Sequence, residues 1–117
     1  GGLRYHGMAP MLSHLVHHGH VEPRAYNQKE CLEAGIQFAR TEGIMPAPEA
    51  THAIKGAVDE ALKCKVEGNS KSILFNLCGH GHFDMQAYMD YFSGKLAEDS
   101  FDTKAFEESM ASIPAVN

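Results

Sequence analysis

Ser72-Ile73-Leu74-Phe75-Asn76-Leu77-Cys78, followed by Gly79-His80-Gly81-His82-Phe83-Asp84, is the stretch on which the fold class turns. Its first seven residues form a nearly continuous apolar run of strand length, entered through the turn residues Gly68-Asn69-Ser70. A run without alternation predicts a strand covered on both faces, as in a parallel sheet. From Phe83 to Leu96 the spacing becomes helical, through Met85, Tyr88, Met89 and Phe92. Strand, glycine loop and helix in that order put the loop at the carboxyl end of a strand. Ligands gather there in open α/β sheets, and glycines let the backbone approach them closely. G-x-G alone is a weak signal, and a tight turn with two surface histidines is the other reading of these residues.

Working upstream, Ile54, Ala57, Val58, Ala61 and Leu62 recur at helical spacing, with Lys55, Asp59, Glu60 and Lys63 between them, so one side of a helix starting near Glu49 is expected to be buried. Ile44-Met45-Pro46-Ala47-Pro48 is too rich in proline to be anything but an extended connector. Before it, Asn27-Gln28-Lys29-Glu30 has the arrangement of a capping box. Cys31, Leu32, Ala34, Ile36, Phe38 and Ala39 supply the apolar face of a helix running to about Glu42, and Gly43 ends it. Residues 20–26 contain Pro23 and read as an edge strand or an extended connector. A short helix over residues 9–18 has Pro10 in its first turn and Gly19 as its stop. Downstream, Asp102 is placed to cap a last helix through Phe106 to about Met110. The expected order is helix, weak strand, helix, helix, strand, helix, helix. That is part of a layered α/β domain with too few strands for a complete sheet.

With 117 residues, one compact unit is expected. The chain has 15 acidic against 10 basic residues and a net charge of -5, with no basic stripe, which argues against nucleic acid as a partner. No apolar run approaches the roughly 20 residues that span a bilayer. Cys31, Cys64 and Cys78 are odd in number and show no C-x-x-C spacing, which points to a reducing compartment and hence the cytoplasm. The opening Gly1-Gly2-Leu3-Arg4-Tyr5-His6-Gly7 reads like a cut through an interior loop.

The histidines invite a metal reading: His14 and His18 are four apart, His17 and His20 lie close by, and His80 and His82 are two apart. Zinc sites use such spacings but need further ligands, and neither H-E-x-x-H nor a cysteine pair accompanies them, so a solvated helix face is the better account. Glu42 and Glu49 flank the proline-rich connector, where a carboxylate at a helix end is more often a cap or surface charge than a catalytic group. Neither Gly-rich nucleotide-phosphate motif is present.

Taken together, Gly2 to Gly7, then Phe38-Ala39-Arg40-Thr41-Glu42-Gly43-Ile44-Met45-Pro46-Ala47-Pro48-Glu49-Ala50-Thr51-His52-Ala53-Ile54, then Asn76 to Asp84 closely resemble the carboxy-terminal part of the tryptophan synthase beta chain family. The resemblance runs in order over nearly the whole chain. Its details are similar to the second, divergent branch, in which Arg4 stands where the common branch has an acidic residue and His-Gly-His-Phe-Asp replaces a more charged loop.

The resemblance implies a three-layer α/β/α enzyme of the type II pyridoxal phosphate fold that joins L-serine to indole, releasing water and forming L-tryptophan. It implies that Cys78 matches the position, usually Ser, whose neutral side chain faces the cofactor's pyridine nitrogen, with Gly79 beside it. Glu42 matches an acidic residue near the cofactor ring. Tyr5 and Gly7 match positions whose backbone carbonyls help bind a monovalent cation, Na+ or K+. Arg4 becomes a substrate-specificity position, because a guanidinium favours an anion, such as a phosphorylated serine analogue, where the common branch senses the serine hydroxyl. A homodimer is implied for the full-length protein, and an alpha chain is the family's further partner.

The family's Schiff-base lysine and phosphate loop lie upstream of the part this chain resembles, so no catalytic residue is expected within it. Lys55, Lys63 and Lys65 fall on a solvated helix face. This chain would then supply one wall of the active site and be inactive alone. Two other readings stay open on the same residues: a different type II pyridoxal phosphate enzyme acting on a serine or threonine derivative, and a non-catalytic folded module.

Overall fold

A computed structural model describes residues 8–96 and 103–112. In chain order it contains α1 (Pro10–His17), α2 (Gln28–Glu42), α3 (Pro48–Glu67), a 3-10 turn (Gly81–Phe83), α4 (Met85–Phe92) and α5 (Thr103–Ala111). Pro10 and Pro48 each enter a helix in its first turn, where the missing N–H would have had no partner anyway. Gly43 closes α2 in the left-handed conformation. Asn27 is the N-cap of α2, but not through a capping box: its side-chain nitrogen donates to Glu30 Oε1 at 3.1 Å, and its oxygen accepts nothing from the helix backbone.

α2 and α3 pack against each other and carry most of the core. Cys31, Leu32, Ala34 and Ile36 of α2 are buried, as are Ala50, Thr51, Ile54 and Cys64 of α3. The close approach depends on Gly35, because a Cβ there would stand 2.5 Å from Thr51 Cγ2. Tyr88 of α4 joins Leu32 and Ile36 in the central cluster, with Met45, Tyr91 and Leu96 packed around it. A salt cluster ties the extended connector 22–27 to α3: Arg24 donates to Glu22 at 3.1 Å and to Glu60 at 2.6 Å. These partners are exposed or half-buried, so the pairs steer the connector more than they stabilise it.

Two further expectations need correction. The run 72–78 is not a covered strand: among the described residues the only strand-like pairing is an isolated antiparallel bridge between Pro46 and His80, and Leu74 is 97% exposed. A strand is completed by a neighbour's hydrogen bonds, and no described segment runs alongside 72–78. Phe75 is half-buried, its ring edge-on to Phe38 with centroids 5.9 Å apart. In α3 the expected stripe is buried only at Ile54; Ala57 and Val58 are half-buried, and Ala61 and Leu62 face solvent. At 20 residues α3 is longer than its 15-residue partner α2, so the contact cannot cover the whole stripe. In α4 only Tyr88 is buried, whereas Met85, Met89 and Phe92 are exposed.

Residues 20–26 form a connector rather than an edge strand. The expected cap Asp102 lies outside the described residues, and α5 begins at Thr103. No helix among the described residues is long and apolar enough to cross a membrane.

Candidate functional site

The loop after 72–78 folds back onto the proline-rich connector. Ala47 N–H donates to the Gly79 carbonyl at 3.2 Å and Gly81 N–H to the Met45 carbonyl at 2.8 Å, with Pro46 and His80 opposite each other between the two bonds. In an antiparallel bridge of this kind the central residues point their own polar groups outward. The missing N–H of Pro46 therefore breaks no pairing here. Gly79 has φ +85°, a conformation that L side chains rarely adopt. Gly81 is buried so tightly that a Cβ would meet Pro46 O at 2.4 Å and Tyr88 Cε2 at 3.1 Å.

This junction fixes Cys78 and Gly79 beside the first turn of α3. Cys78 is a free, exposed thiol, unlike the buried Cys31 and Cys64. Burial first, and then the nearby charge of Glu30, pushes the Cys31 thiol up to about 11, which leaves it protonated and inert at neutral pH. Glu49, with an exposed side chain, lies two residues beyond Ala47 in that same first turn. Glu42, also exposed, is the last residue of α2 and sits at the far end of the connector. Of the two flanking carboxylates, Glu49 is therefore on the turn that the junction holds.

His52, one turn further along α3, has Nδ1 buried without a hydrogen-bond partner. Burial lowers its pKa, and the charge of Glu49 partly opposes this. Tyr88 closes the back of the junction, its hydroxyl donating to the Pro46 carbonyl at 2.6 Å. Sequence spacing assigned Tyr88 only to a helix face and gave no hint of this bond.

Arg4, Tyr5 and Gly7 lie outside the described residues. The rings of His14 and His18 lie 4.2 Å apart and those of His80 and His82 4.7 Å apart. Among the described residues no three His, Cys, Asp or Glu side chains converge on a common metal position. A groove of about 480 Å³ lies between α2 and α4 and is lined by Ile36, Arg40 and Tyr91 among others, none of them a site residue expected from the sequence.

As it stands, the junction offers a neutral thiol, a stretch of backbone that nothing larger than glycine obstructs, and a carboxylate in an adjoining helical turn. Neither the connector 44–48 nor the loop 78–84 contains a lysine, and the junction amounts to one side of a binding site.

No family model matches the chain. Curated relatives do. The tryptophan synthase beta chain 2 of Thermococcus kodakarensis is 59% identical over 98 residues, 84% of this chain and 22% of that protein. That of Methanosarcina mazei is 60% identical over 96 residues, 82% of this chain and 22% of the relative. The tryptophan synthase beta chain of Pyrococcus horikoshii is 50% identical over 114 residues, 97% of this chain and 24% of the relative. The chain thus spans less than a quarter of the length of the curated relatives it matches.

Proposed function

From the premise that this chain belongs to the tryptophan synthase beta chain family, its sequence aligning with those proteins over most of its length, we propose that it is the carboxy-terminal wall of a pyridoxal phosphate enzyme that forms L-tryptophan from L-serine and indole. The whole protein would have the type II fold, act as a homodimer and take a monovalent cation through the carbonyls of Tyr5 and Gly7. The observation that carries the reading is the junction itself: Cys78 and Gly79 are pinned to the start of α3 by the Ala47–Gly79 and Gly81–Met45 hydrogen bonds.

The residues present fit one face of the cofactor. A thiol at Cys78 is neutral and a weak donor, so it can face an aromatic nitrogen without protonating it. Gly79 lets the backbone approach the ring; the resemblance gives Glu42 as the carboxylate near it, and Glu49 is a second candidate, two residues beyond Ala47. When bound, the cofactor supplies an electron sink for β-replacement at the serine, and a neutral group opposite its nitrogen keeps that sink moderate. The chain's own part is to hold the ring, exclude water from one side and set the polarity there. Arg4 would favour an anionic substrate group.

The exposed apolar surface agrees with a wall that the remainder of the enzyme covers: Leu74 and Phe83 are more than nine-tenths exposed, and Met89 and Phe92 more than half. The test uses the full-length protein with added pyridoxal phosphate. Absorbance of bound cofactor together with tryptophan formation from serine and indole is expected. Bound cofactor without tryptophan would point to another type II enzyme, and neither signal to a non-catalytic module.

A further inference from the structure

We propose that Tyr88 is a positioning residue for the reaction: through the Pro46 carbonyl it orients the peptide that holds the Cys78-Gly79 loop against α3. The proposal rests on the reading of that loop as cofactor-facing. Tyr88 lies 42 positions from Pro46 in sequence, and both side chains are almost completely buried. The Pro46 carbonyl points out of the bridge with His80 and takes its hydrogen bond from the Tyr88 hydroxyl at 2.6 Å. That carbonyl and the N–H of Ala47 belong to one planar peptide group. The N–H donates to Gly79 O at 3.2 Å, so a single rigid plane is held at one end by Tyr88 and holds the loop at the other.

The surroundings leave this plane little freedom. Positions 35 and 81 admit no side chain: a Cβ at Gly35 would lie 3.2 Å from Tyr88 Oη and 3.3 Å from Pro46 Cγ, and one at Gly81 would lie 2.4 Å from Pro46 O. The phenol therefore has packed neighbours on both sides, and the carbonyl is sealed from water. Removing the hydroxyl leaves a buried acceptor unpaired, and turning the peptide to find a new donor swings the Ala47 N–H away from Gly79. Tyr88 acts on the site only through that peptide.

The experiment uses the full-length protein with pyridoxal phosphate. Wild type is measured first: if it neither binds the cofactor nor forms tryptophan, the reading of the loop fails and the proposal fails with it. If wild type is active, Tyr88→Phe is expected to lower kcat about tenfold while the KM for serine changes less than about twofold, and to shift the absorbance maximum of the bound cofactor. Ile36→Val, in the same core cluster, serves as the control: it should lower Tm with kcat and absorbance unchanged. Tyr88→Phe that lowers Tm but keeps the parental kcat and absorbance overturns the proposal. Should Tyr88→Phe give no folded protein, 3,5-difluorotyrosine at position 88 keeps the shape and the donor but ionises at lower pH; Asp84 is the charged group that acts on this hydroxyl. The alkaline loss of kcat should then move to lower pH, and an unmoved profile counts against Tyr88.

Discussion

Gly35 of α2 and Thr51 of α3 meet with no room for a side chain between them: a Cβ at position 35 would stand 2.5 Å from Thr51 Cγ2. Thr51 is fully buried, and its hydroxyl donates to the Pro48 carbonyl at 2.6 Å, so it cannot swing aside without losing that bond.

Gly35→Ala should therefore destabilise the chain even though alanine is the better helix former by about 1 kcal/mol. Overpacking of this kind costs about 1–3 kcal/mol, which offsets the propensity gain and more. Thr51→Ser removes the clashing methyl and keeps the hydroxyl, so the double variant should recover much of the loss. Urea midpoints for the four proteins of the cycle give the answer; additive losses would mean that the strain is relieved elsewhere.

The three cysteines should differ in reactivity in the 117-residue chain. Cys78 is exposed, whereas Cys31 and Cys64 are buried and burial holds the Cys31 thiol up at about 11. A thiol-reactive disulfide at neutral pH should modify one cysteine quickly, with mass mapping to Cys78, and the other two only after denaturant is added. Fast labelling of Cys31 would contradict the packing of α2.

Tyr88 also sets an alkaline limit. Burial first, and then the charge of Asp84, push its phenol from the ordinary 10 up to about 12. The neutral form is thus favoured in the folded state. Its contribution is complete below pH about 10 and is lost as the pH rises through about 12. Base-induced unfolding should set in over that window, and ultraviolet titration should show one tyrosine ionising late. Tyr88→Phe should remove the late step.

His52 acts at the other end of the scale. Burial depresses its pKa below 6.5, more than the charge of Glu49 restores it, and its Nδ1 has no partner. The neutral imidazole is favoured in the fold, so its contribution is present above pH about 6.5 and is lost as the pH falls through the lowered value. Proton NMR should show His52 titrating below 6.5, and a normal titration would place it in solvent.

Helix ends were legible because they are local. Asn27, Gly43 and Gly68 act within a turn of themselves and bound α2 and the end of α3 where expected, while Pro48, read as the end of the connector, is the first residue of α3. The run 72–78 was misread because composition reports a preference for burial, whereas a strand requires a second segment to receive its hydrogen bonds. Tyr88 was invisible as a site residue for a related reason. In periodicity it is equivalent to Met85, Met89 and Phe92, and only the remote Pro46 carbonyl distinguishes it from them. Similarly, spacing gives Glu42 and Glu49 equal standing on either side of a connector. That the start of α3 is tied to the loop after Cys78 shows only in the Ala47–Gly79 hydrogen bond, a contact between residues 32 apart.

That bond makes Glu49 a rival to Glu42. If Glu49 is the carboxylate beside the ring, Glu49→Gln in the full-length protein should reduce kcat by about tenfold or more while Glu42→Gln stays within about threefold, because loss of charge there alters the chemical step. Steady-state kinetics with serine and indole decide between them. The reverse order would bear out Glu42, the cofactor-side carboxylate that the resemblance implies.

The last prediction concerns Cys78, on which the cofactor reading depends most directly. Cys78→Ser replaces one neutral donor by another, so in the full-length enzyme activity should remain within about tenfold, a barrier change of about 1.4 kcal/mol. If Cys78 faces the ring nitrogen, as proposed, Cys78→Asp places a carboxylate opposite it and should favour its protonated form. Electron withdrawal then strengthens, so the bound-cofactor absorbance should change and transamination should rise relative to tryptophan formation. If Cys78 were merely a thiol at the end of an apolar segment, Asp would act through desolvation alone, lowering the yield of folded protein without changing the product ratio. Folded yield, cofactor absorbance and product ratio measured on one preparation separate the two cases. A Cys78→Asp enzyme that folds, binds cofactor and keeps both the parental spectrum and the parental product ratio would remove Cys78 from the pyridine nitrogen.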